Sequence, residues 1–302
     1  MRKFILKIIL LILIAINISG CKDNNYERSE ISMSTVLTLK ANNKAAIDES
    51  FLKVADIENK IKNDIQNLEA AAGSDKFVKI SSEVFTMLKT ANEYSILTDG
   101  AFDVTTGAAI ELWNIKEAKV PTDEEIENVK SLVGFRHIQL RDFDCSAKID
   151  LSGIKINLGG IAKGYAVDSI REIFDKYGVH DGLIDFGTST IYAFGKKRIG
   201  LKHPRKENEI MEIIEIEDAA ISTSGDYLKY FIVDGQRYHH IIDPKTCKPV
   251  DNGTHSVSVI VNGKVENCAM IADILSTAIF VLGREYDKIK FPENYKIYED
   301  CI

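Results

Sequence analysis

Hydrophobic and polar residues alternate with two different periods along the chain, which predicts both strands and helices. The strand-like segments are short apolar or alternating runs bounded by turn residues: 36–40, 183–186, 227–233, 237–242 and 256–261. Asp234-Gly235 separates two of these segments, and this dipeptide is typical of a tight hairpin turn. Strands joined by such short turns indicate antiparallel pairing.

Four segments have the apolar spacing of helices. They cover residues 50–72, 82–96, 161–177 and 268–282. Ser81 is placed to cap the second helix, and Gly178 is placed to end the third. The fourth helix is apolar nearly all round, so we expect it to be buried. The pattern therefore predicts an α+β protein with mixed sheets and packed helices.

The N-terminus has the pattern of a processed export signal. Positive residues are followed by an apolar run over 4–16 and then by Ile18-Ser19-Gly20-Cys21, which resembles a bacterial lipobox. This predicts a signal peptide over 1–20, lipid attachment at Cys21, a polar tether over 21–30 and a folded domain over 31–302. The alternative is an uncleaved anchor, although the run is shorter than the about 20 residues that span a bilayer.

Charge and cysteine spacing argue against a nucleic-acid-binding protein and against a zinc site. The chain has 302 residues and a formal net charge of −7, with no basic block after the first residues, so a nucleic-acid partner is not expected. The other cysteines show neither paired spacing nor a nearby histidine, which favours isolated thiols over a zinc site. They are Cys145, Cys247, Cys268 and Cys301.

A glycine-rich turn leads into the third helix. Gly159-Gly160 comes directly before the helix, and Lys163 lies in its first turn. Exposed backbone N–H groups at a helix start, with a cation beside them, suit a phosphate group. A tight strand-to-helix turn without a ligand explains the same residues, so the turn alone leaves both interpretations open.

The fourth helix has one acidic residue in an apolar surrounding. Asp273, Ser276 and Thr277 are spaced to share one helix face. A buried carboxylate needs hydrogen bonds or a metal, and oxygen ligands favour Mg²⁺ over zinc. An aspartate that is bonded only to the neighbouring backbone is the alternative.

Two further motifs carry reactive or aromatic side chains. Either His239 or His240, near the end of a hairpin strand, is a candidate general base; the alternative is a histidine satisfied by hydrogen bonds. Asp99-Gly100 predicts a turn, and Phe102 follows it as a candidate for stacking on an aromatic ligand.

The order of these motifs resembles the ApbE family of flavin transferases, and the resemblance extends over nearly all of the chain after the signal. The matching segments are 33–35, 98–103, 112–113, 159–165, 183–187, 222–225, 240–249 and 273–277. The resemblance implies a fold in two lobes with FAD between them. It also implies transfer of FMN from FAD to a Ser or Thr hydroxyl of an acceptor protein, with Mg²⁺ and with release of AMP.

The resemblance also implies a role for each matching position. His240 would be the base. Met33, Ala101, Phe102, Asp103, Asn157, Lys163 and Ile242 would contact FAD. Gly160, Asp273, Ser276 and Thr277 would hold Mg²⁺. The acceptor would be a membrane electron-transport subunit or a flavoprotein outside the cytoplasm, and the enzyme would be anchored on the outer face of the cytoplasmic membrane.

The chain departs from the family pattern at five positions. Asn157 stands where Asp is usual, and Glu69 where Asn is common. Ser34, Thr188 and Cys247 each replace a glycine. None of these changes removes a proposed metal ligand, Lys163 or His240. Two other functions use the same motifs: an FAD pyrophosphatase, in which water replaces the acceptor hydroxyl, and a lipoprotein that binds flavin without turnover.

Overall fold

A computed structural model describes residues 25–187, 189–291 and 295–301. The helices are α1 Lys44–Ala70, α2 Ser82–Leu97, α3 Gly107–Trp113, α4 Asp123–Lys130, α5 Ala162–Lys176 and α6 Cys268–Leu282. The first seven strands are β1 Tyr26–Ser32, β2 Thr35–Ala41, β3 Val78–Lys79, β4 Ile138–Arg141, β5 Ser146–Ile149, β6 Gly182–Asp185 and β7 Thr190–Lys202. The others are β8 Ile210–Gly225, β9 Tyr230–Val233, β10 Gln236–His239, β11 Ile242–Asp243, β12 Lys248–Pro249, β13 Thr254–Asn262 and β14 Tyr295–Cys301.

The largest sheet has seven strands in the order β1-β2-β6-β7-β8-β13-β14, and each neighbouring pair is antiparallel. Smaller sheets are formed by β3-β5-β4, β9-β10 and β11-β12. Helix α6 packs on β8 and β13 and lies beside α5, which also contacts α1. This arrangement confirms the predicted α+β class. It also brings the start of α5 next to the middle of α6.

The predicted helices are confirmed, with one boundary moved. Helix α1 begins at Lys44 rather than at residue 50, because Asn43 caps it by accepting a hydrogen bond from Ala46 N at 3.2 Å. Ser81 caps α2 as predicted. Strand β9 begins at Tyr230, three residues later than its segment predicts. The hairpin turn is confirmed, since Asp234 and Gly235 both have positive φ.

The region predicted as a tether is partly ordered. Residues 26–30 belong to β1, which pairs with β2 from Tyr26 opposite Ala41 to Ser32 opposite Thr35. Their side chains are polar and exposed, which is why the sequence resembles a leash. Pairing of the backbone with β2 makes this segment a strand. The predicted signal peptide and Cys21 lie outside the described residues.

A small hydrophobic core supports the β9–β10 hairpin, apart from the main core between the large sheet and the helices. Trp113 stacks on Tyr238 with ring centroids 5.3 Å apart. Its indole Nε1 donates to the carbonyl oxygen of Cys247 at 2.8 Å. Ile242 is buried in the same cluster. This core fixes the end of the hairpin, where His240 follows β10.

Two departures from the family pattern fall at left-handed backbone positions. Ser34 has φ +63° in the turn between β1 and β2, and Cys247 has φ +54° in the turn between β11 and β12. Glycine adopts this conformation without steric cost, whereas a side chain costs about 1–2 kcal/mol. The glycines of the family pattern therefore have a conformational reason here. Thr188, the third such departure, lies outside the described residues.

Candidate functional site

The glycine turn before α5 lies against α6 and the Phe102 loop. A Cβ atom on Gly160 would be 3.0 Å from Thr277 Oγ1 and 3.1 Å from a ring carbon of Phe102. Lys163 donates from Nζ to the carbonyl oxygen of Gly159 at 2.7 Å. A larger residue at position 160 would therefore push Thr277 or Phe102 away by a few tenths of an ångström. The turn, the cation and the Thr277 hydroxyl are neighbours.

Asn157 keeps a hydrogen bond that aspartate would also make. Its Oδ1 accepts from Gly159 N at 2.8 Å and so closes the turn. The geometry is therefore preserved at this departure from the family pattern, and the side-chain charge is lost. Glu69 is likewise structural, because its carboxylate accepts from Ile156 N at 2.9 Å and from Lys155 Nζ at 3.0 Å.

Asp273 is a buried carboxylate without an ion pair among the described residues. Its side chain is 3% exposed. Oδ2 accepts from Gly164 N at 3.1 Å, and Oδ1 accepts from Ser222 Oγ at 3.1 Å. A carboxylate has about four lone-pair sites, so these two bonds leave acceptor capacity. A buried charge of this kind is costly unless a cation completes its surroundings.

The two hydroxyls predicted with Asp273 share their partners and differ in exposure. Ser276 is fully buried, donates to the carbonyl oxygen of Asp273 at 3.0 Å and lies 2.9 Å from Ser224 Oγ. Thr277 is partly exposed; its hydroxyl donates to the same carbonyl oxygen at 3.3 Å and lies 3.2 Å from Ser224 Oγ. Thr277 also lies next to Gly160. The structure therefore brings Asp273, Ser276, Thr277 and Gly160 together.

These oxygens fit the chemistry of Mg²⁺. A carboxylate, a hydroxyl and the backbone carbonyl groups of the turn offer oxygen ligands, which Mg²⁺ prefers. In the part of the chain that the structure describes, no three His, Cys, Asp or Glu side chains cluster as a metal site. A cation here would therefore rely on Asp273 and neutral oxygens. Asp273 can accept further contacts beside Thr277, which makes this position suitable for a divalent cation.

Helices α5 and α6 cap each other. Neither has a side-chain cap from its own N-cap residue. Asp273 of α6 accepts from Gly164 N in the first turn of α5, and Asp168 of α5 accepts from Ala269 N and Met270 N, at 3.1 and 2.8 Å, in the first turn of α6. The carboxylates satisfy N–H groups that would otherwise lack partners. The exchange fixes the two helix starts relative to each other.

The structure distinguishes the two adjacent histidines. His239 is buried; its Nε2 lies 2.8 Å from the carbonyl oxygen of Val250, and its Nδ1 accepts from Ile241 N at 3.2 Å. Both of its ring nitrogens are therefore used. His240 follows β10, is partly buried, and its Nδ1 has no hydrogen-bond partner among the described residues. His240 is thus the histidine with an unpaired ring nitrogen, and this nitrogen is buried.

The imidazole of His240 is neutral at pH 7. Burial lowers its pKa from 6.5 to about 4, and the neighbouring His239, Lys229 and Lys163 add to the effect. A neutral imidazole accepts a proton.

This lowered pKa predicts a loss of stability in acid. The unfolded chain binds a proton at His240 near pH 6.5, whereas the folded protein resists protonation until about pH 4. Stability is therefore lost as the pH falls through this window. Between pH 7 and pH 5 the unfolding free energy of both proteins should fall. We expect the fall to be about 2 kcal/mol smaller in His240→Asn than in wild type, because the variant has no imidazole to protonate on unfolding. Urea unfolding at both pH values measures this, and an equal loss in the two proteins would contradict it.

The residues predicted to line the FAD site are mostly buried. The Phe102 ring is 3% exposed and packs against Gly160, beside the glycine turn; its stacking on a flavin stays a prediction. Asp103 accepts from Thr105 N and Phe135 N, at 2.8 and 2.7 Å, and these bonds shape its own loop. Met33 is partly buried in the β1–β2 turn.

An open cavity of about 520 Å³ borders the Asp103 loop, and Asp103 is one of its lining residues. Its lining includes Asp99, Phe135, Arg136 and Lys245. Gly160, Lys163, His240 and Asp273 do not line it. The cavity is therefore separate from the polar cluster around Asp273.

The described thiols do not form disulfides. Cys145, Cys247 and Cys268 are free. Burial raises the pKa of Cys247 to about 11 and that of Cys268 to about 12, so both stay protonated and are poor nucleophiles. The prediction of isolated thiols is confirmed for these three.

Sequence reasoning assigned no role to three residues that contact the candidate metal set or cap its helix. They are Ser222, Ser224 and Asp168. Ser222 and Ser224 are two positions apart on β8, so they share one face of the sheet. The alternation of a strand is the sequence pattern that could have placed both hydroxyls on that face. Asp168 is a buried acidic residue among the apolar positions of α5. That pattern indicates a partner without identifying it.

The fold and the polar cluster define an α+β protein in which a glycine turn, a buried carboxylate and hydroxyl side chains lie near one another. The model of the ApbE family matches residues 31–294. This match covers most of the chain, which therefore belongs to the ApbE family. The predicted resemblance is confirmed.

Curated relatives and solved structures agree with this assignment. The FAD:protein FMN transferase of Vibrio cholerae serotype O1 is 36% identical over 217 residues, and the alignment covers 68% of this chain and 63% of the relative. That of Treponema pallidum is 29% identical over 294 residues, covering 86% and 79%. The crystal structure of the ApbE protein from Thermotoga maritima is 30% identical with a TM-score of 0.78, covering 87% of this chain and 89% of that one. The flavin transferase ApbE from Vibrio cholerae is 26% identical with a TM-score of 0.76, covering 91% and 96%.

Proposed function

We propose that this chain transfers FMN from FAD to a Ser or Thr hydroxyl of an acceptor protein, with release of AMP and with Mg²⁺ as cofactor. FAD would lie between the unit built on the main core and the β9–β10 unit. The acceptor would be a membrane electron-transport subunit or another flavoprotein outside the cytoplasm. The names of the relatives support flavin transfer, and the chemistry of the cluster supports the finer steps.

One observation carries the proposal: the meeting of the Gly159-Gly160 turn with Thr277 and the buried Asp273. A phosphate-binding turn supplies backbone N–H groups and the positive end of a helix dipole. Among the described residues the Asp273 carboxylate has no cation partner, and its place beside that turn suits a site for a divalent cation and a phosphate together. Simple storage of flavin does not require this pairing.

The residues of the chain divide the reaction between them. His240 takes the proton from the acceptor hydroxyl, and its neutral state at pH 7 suits this step. The hydroxyl oxygen forms a bond to the phosphorus nearer the flavin, and the bond to the AMP oxygen breaks. Lys163 and the start of α5 stabilise the negative charge on the phosphates. When bound, Mg²⁺ supplies further neutralisation of the leaving phosphate.

The test is an in-gel fluorescence assay. The soluble form starting after Cys21 is incubated with FAD, Mg²⁺ and an acceptor domain that carries a Ser/Thr flavinylation motif, and then run on a denaturing gel. We expect a fluorescent acceptor band that disappears with EDTA and with His240→Ala. His180→Ala is the matched control, because His180 is exposed and outside the cluster, and it should keep the band.

Other outcomes identify other functions. Steady release of AMP and FMN without a labelled acceptor would make the chain an FAD pyrophosphatase. Bound FAD with neither product would leave a flavin-binding lipoprotein. Either result would refute the transferase proposal.

We further propose that the protein is lipid-anchored to the outer face of the cytoplasmic membrane through Cys21. The lipobox-like sequence supports this. Within the described ranges, no helix has the length and apolar character to cross a membrane. We expect Cys21→Ser expressed in bacteria to lose labelling by a radioactive fatty acid, whereas Cys145→Ser keeps it. Labelling that persists in Cys21→Ser would exclude this anchor.

A further inference from the structure

Ser222 in β8 touches the buried carboxylate at the centre of the candidate site. Its Oγ donates to Asp273 Oδ1 at 3.1 Å. On its other side it lies 3.0 Å from Thr190 Oγ1 in β7. Ser222 and Thr190 are both fully buried. The proposed transfer reaction uses neither hydroxyl.

The chemistry of the carboxylate sets the direction of this chain of hydrogen bonds. An ionised carboxylate only accepts, so the single proton of Ser222 points to Asp273. The contact with Thr190 must then be a hydrogen bond that Thr190 donates to Ser222. Thr190 therefore fixes the rotation of the Ser222 hydroxyl, and Ser222 in turn fixes the carboxylate.

We propose that Ser222, oriented by Thr190, is a positioning residue that holds the Asp273 carboxylate in its cation-binding orientation. This inference rests on the proposed role of Asp273 in binding a divalent cation. Gly164 N holds Oδ2 from the α5 side, and Ser222 holds Oδ1 from the sheet side. Two bonds from opposite sides fix the plane of the carboxylate. With one bond, the group is free to turn about its Cβ–Cγ axis.

Groups that orient metal ligands have a measurable effect on affinity. Removal of such a partner commonly weakens metal binding by about 10–100-fold. We expect this size of effect from Ser222→Ala. Thr190→Val removes the more distant hydroxyl with little change in volume, so it should weaken binding in the same direction by about threefold to tenfold.

The chain supplies a matched control on the opposite face of the same sheet. Ser258 in β13 is 3% exposed, and its Oγ lies 2.7 Å from Thr223 Oγ1 in β8. Ser258→Ala therefore removes a buried serine hydroxyl that is paired with a threonine hydroxyl in a neighbouring strand. It differs from Ser222→Ala in leaving Asp273 untouched, so it measures the structural cost alone.

The experiment measures cation binding by the full chain in detergent, without any acceptor. Mg²⁺ affinity is measured by calorimetry and Mn²⁺ affinity by electron paramagnetic resonance, with thermal unfolding recorded for each variant. We expect at least tenfold weaker binding for Ser222→Ala, a smaller loss for Thr190→Val and a change within about twofold for Ser258→Ala. Equal affinities in Ser222→Ala and Ser258→Ala would overturn the inference. If Ser222→Ala does not fold, Thr190→Val decides, and wild-type affinity in that variant would overturn it.

Asp273→Asn separates this inference from the proposed function. If Asp273→Asn binds the cations as tightly as wild type, the metal site itself is refuted, and the positioning role with it. If Asp273→Asn loses binding while Ser222→Ala matches Ser258→Ala, only the positioning role is refuted.

Discussion

Asp273→Asn is expected to lower the rate of FMN transfer by about 10³-fold, which corresponds to about 4 kcal/mol of lost transition-state stabilisation. The amide keeps the shape of the side chain but removes the charge that attracts the cation. In the metal-free protein, the unfolding free energy should fall by about 1–3 kcal/mol, because the amide nitrogen cannot accept one of the two hydrogen bonds that Asp273 receives from Gly164 N and Ser222 Oγ. The transfer rate is therefore measured at a temperature at which both proteins are folded.

Two measurements check this result. The transfer rate comes from the time course of in-gel flavin fluorescence at saturating FAD. Thermal unfolding with and without Mg²⁺ shows whether the cation stabilises the protein, and we expect stabilisation in wild type but not in Asp273→Asn. Asp251→Asn, which changes the net charge equally at an exposed position, is the control. Transfer at the wild-type rate by Asp273→Asn would refute the metal assignment.

Gly164→Ala is expected to destabilise the protein by about 3 kcal/mol. A Cβ atom at this position would lie 2.5 Å from the carbonyl oxygen of Ala269 and 2.5 Å from Met270 Cα. These are backbone atoms of α6, so the clash cannot be relieved by turning a side chain, and the two helices must separate. Their separation would also move Gly160 away from Asp273, so the transfer rate should fall with stability.

Gly178→Ala provides the comparison for this prediction. Gly178 ends α5 with φ +67° and has no other atom within 4 Å of an added Cβ. The same chemical change should therefore cost only the conformational penalty, about 1–2 kcal/mol. Chemical denaturation of both variants measures the difference. If Gly164→Ala were as stable as Gly178→Ala, the close contact between α5 and α6 at Gly164 would not contribute to stability, and the prediction would be wrong.

The elements that the sequence predicted best are those with strong local signals. The apolar spacing of α5 and α6 and the Asp234-Gly235 turn depend on residues within a few positions of one another. The error over residues 26–30 arose where the local signal is weak. These residues are polar and carry no strand pattern of their own, and they form a strand because β2 offers a pairing edge. The burial of the Phe102 ring likewise depends on tertiary packing, and its stacking role stays a prediction.

By itself, the sequence determined the α+β class, the helices and hairpin, the ApbE resemblance and the candidate residues; the lipid anchor at Cys21 stays a prediction. Only the tertiary structure decided how these residues are used. It showed that both ring nitrogens of His239 have hydrogen-bond partners, that Ser276 and Thr277 share Ser224 as a neighbour, and that Ser222 contacts Asp273. It also showed the bond between Gly164 and Asp273, which are 109 positions apart. The physical reason is range, because periodicity and turn chemistry act over a few residues, whereas burial, helix packing and hydrogen-bond partners depend on which distant segments the fold brings together.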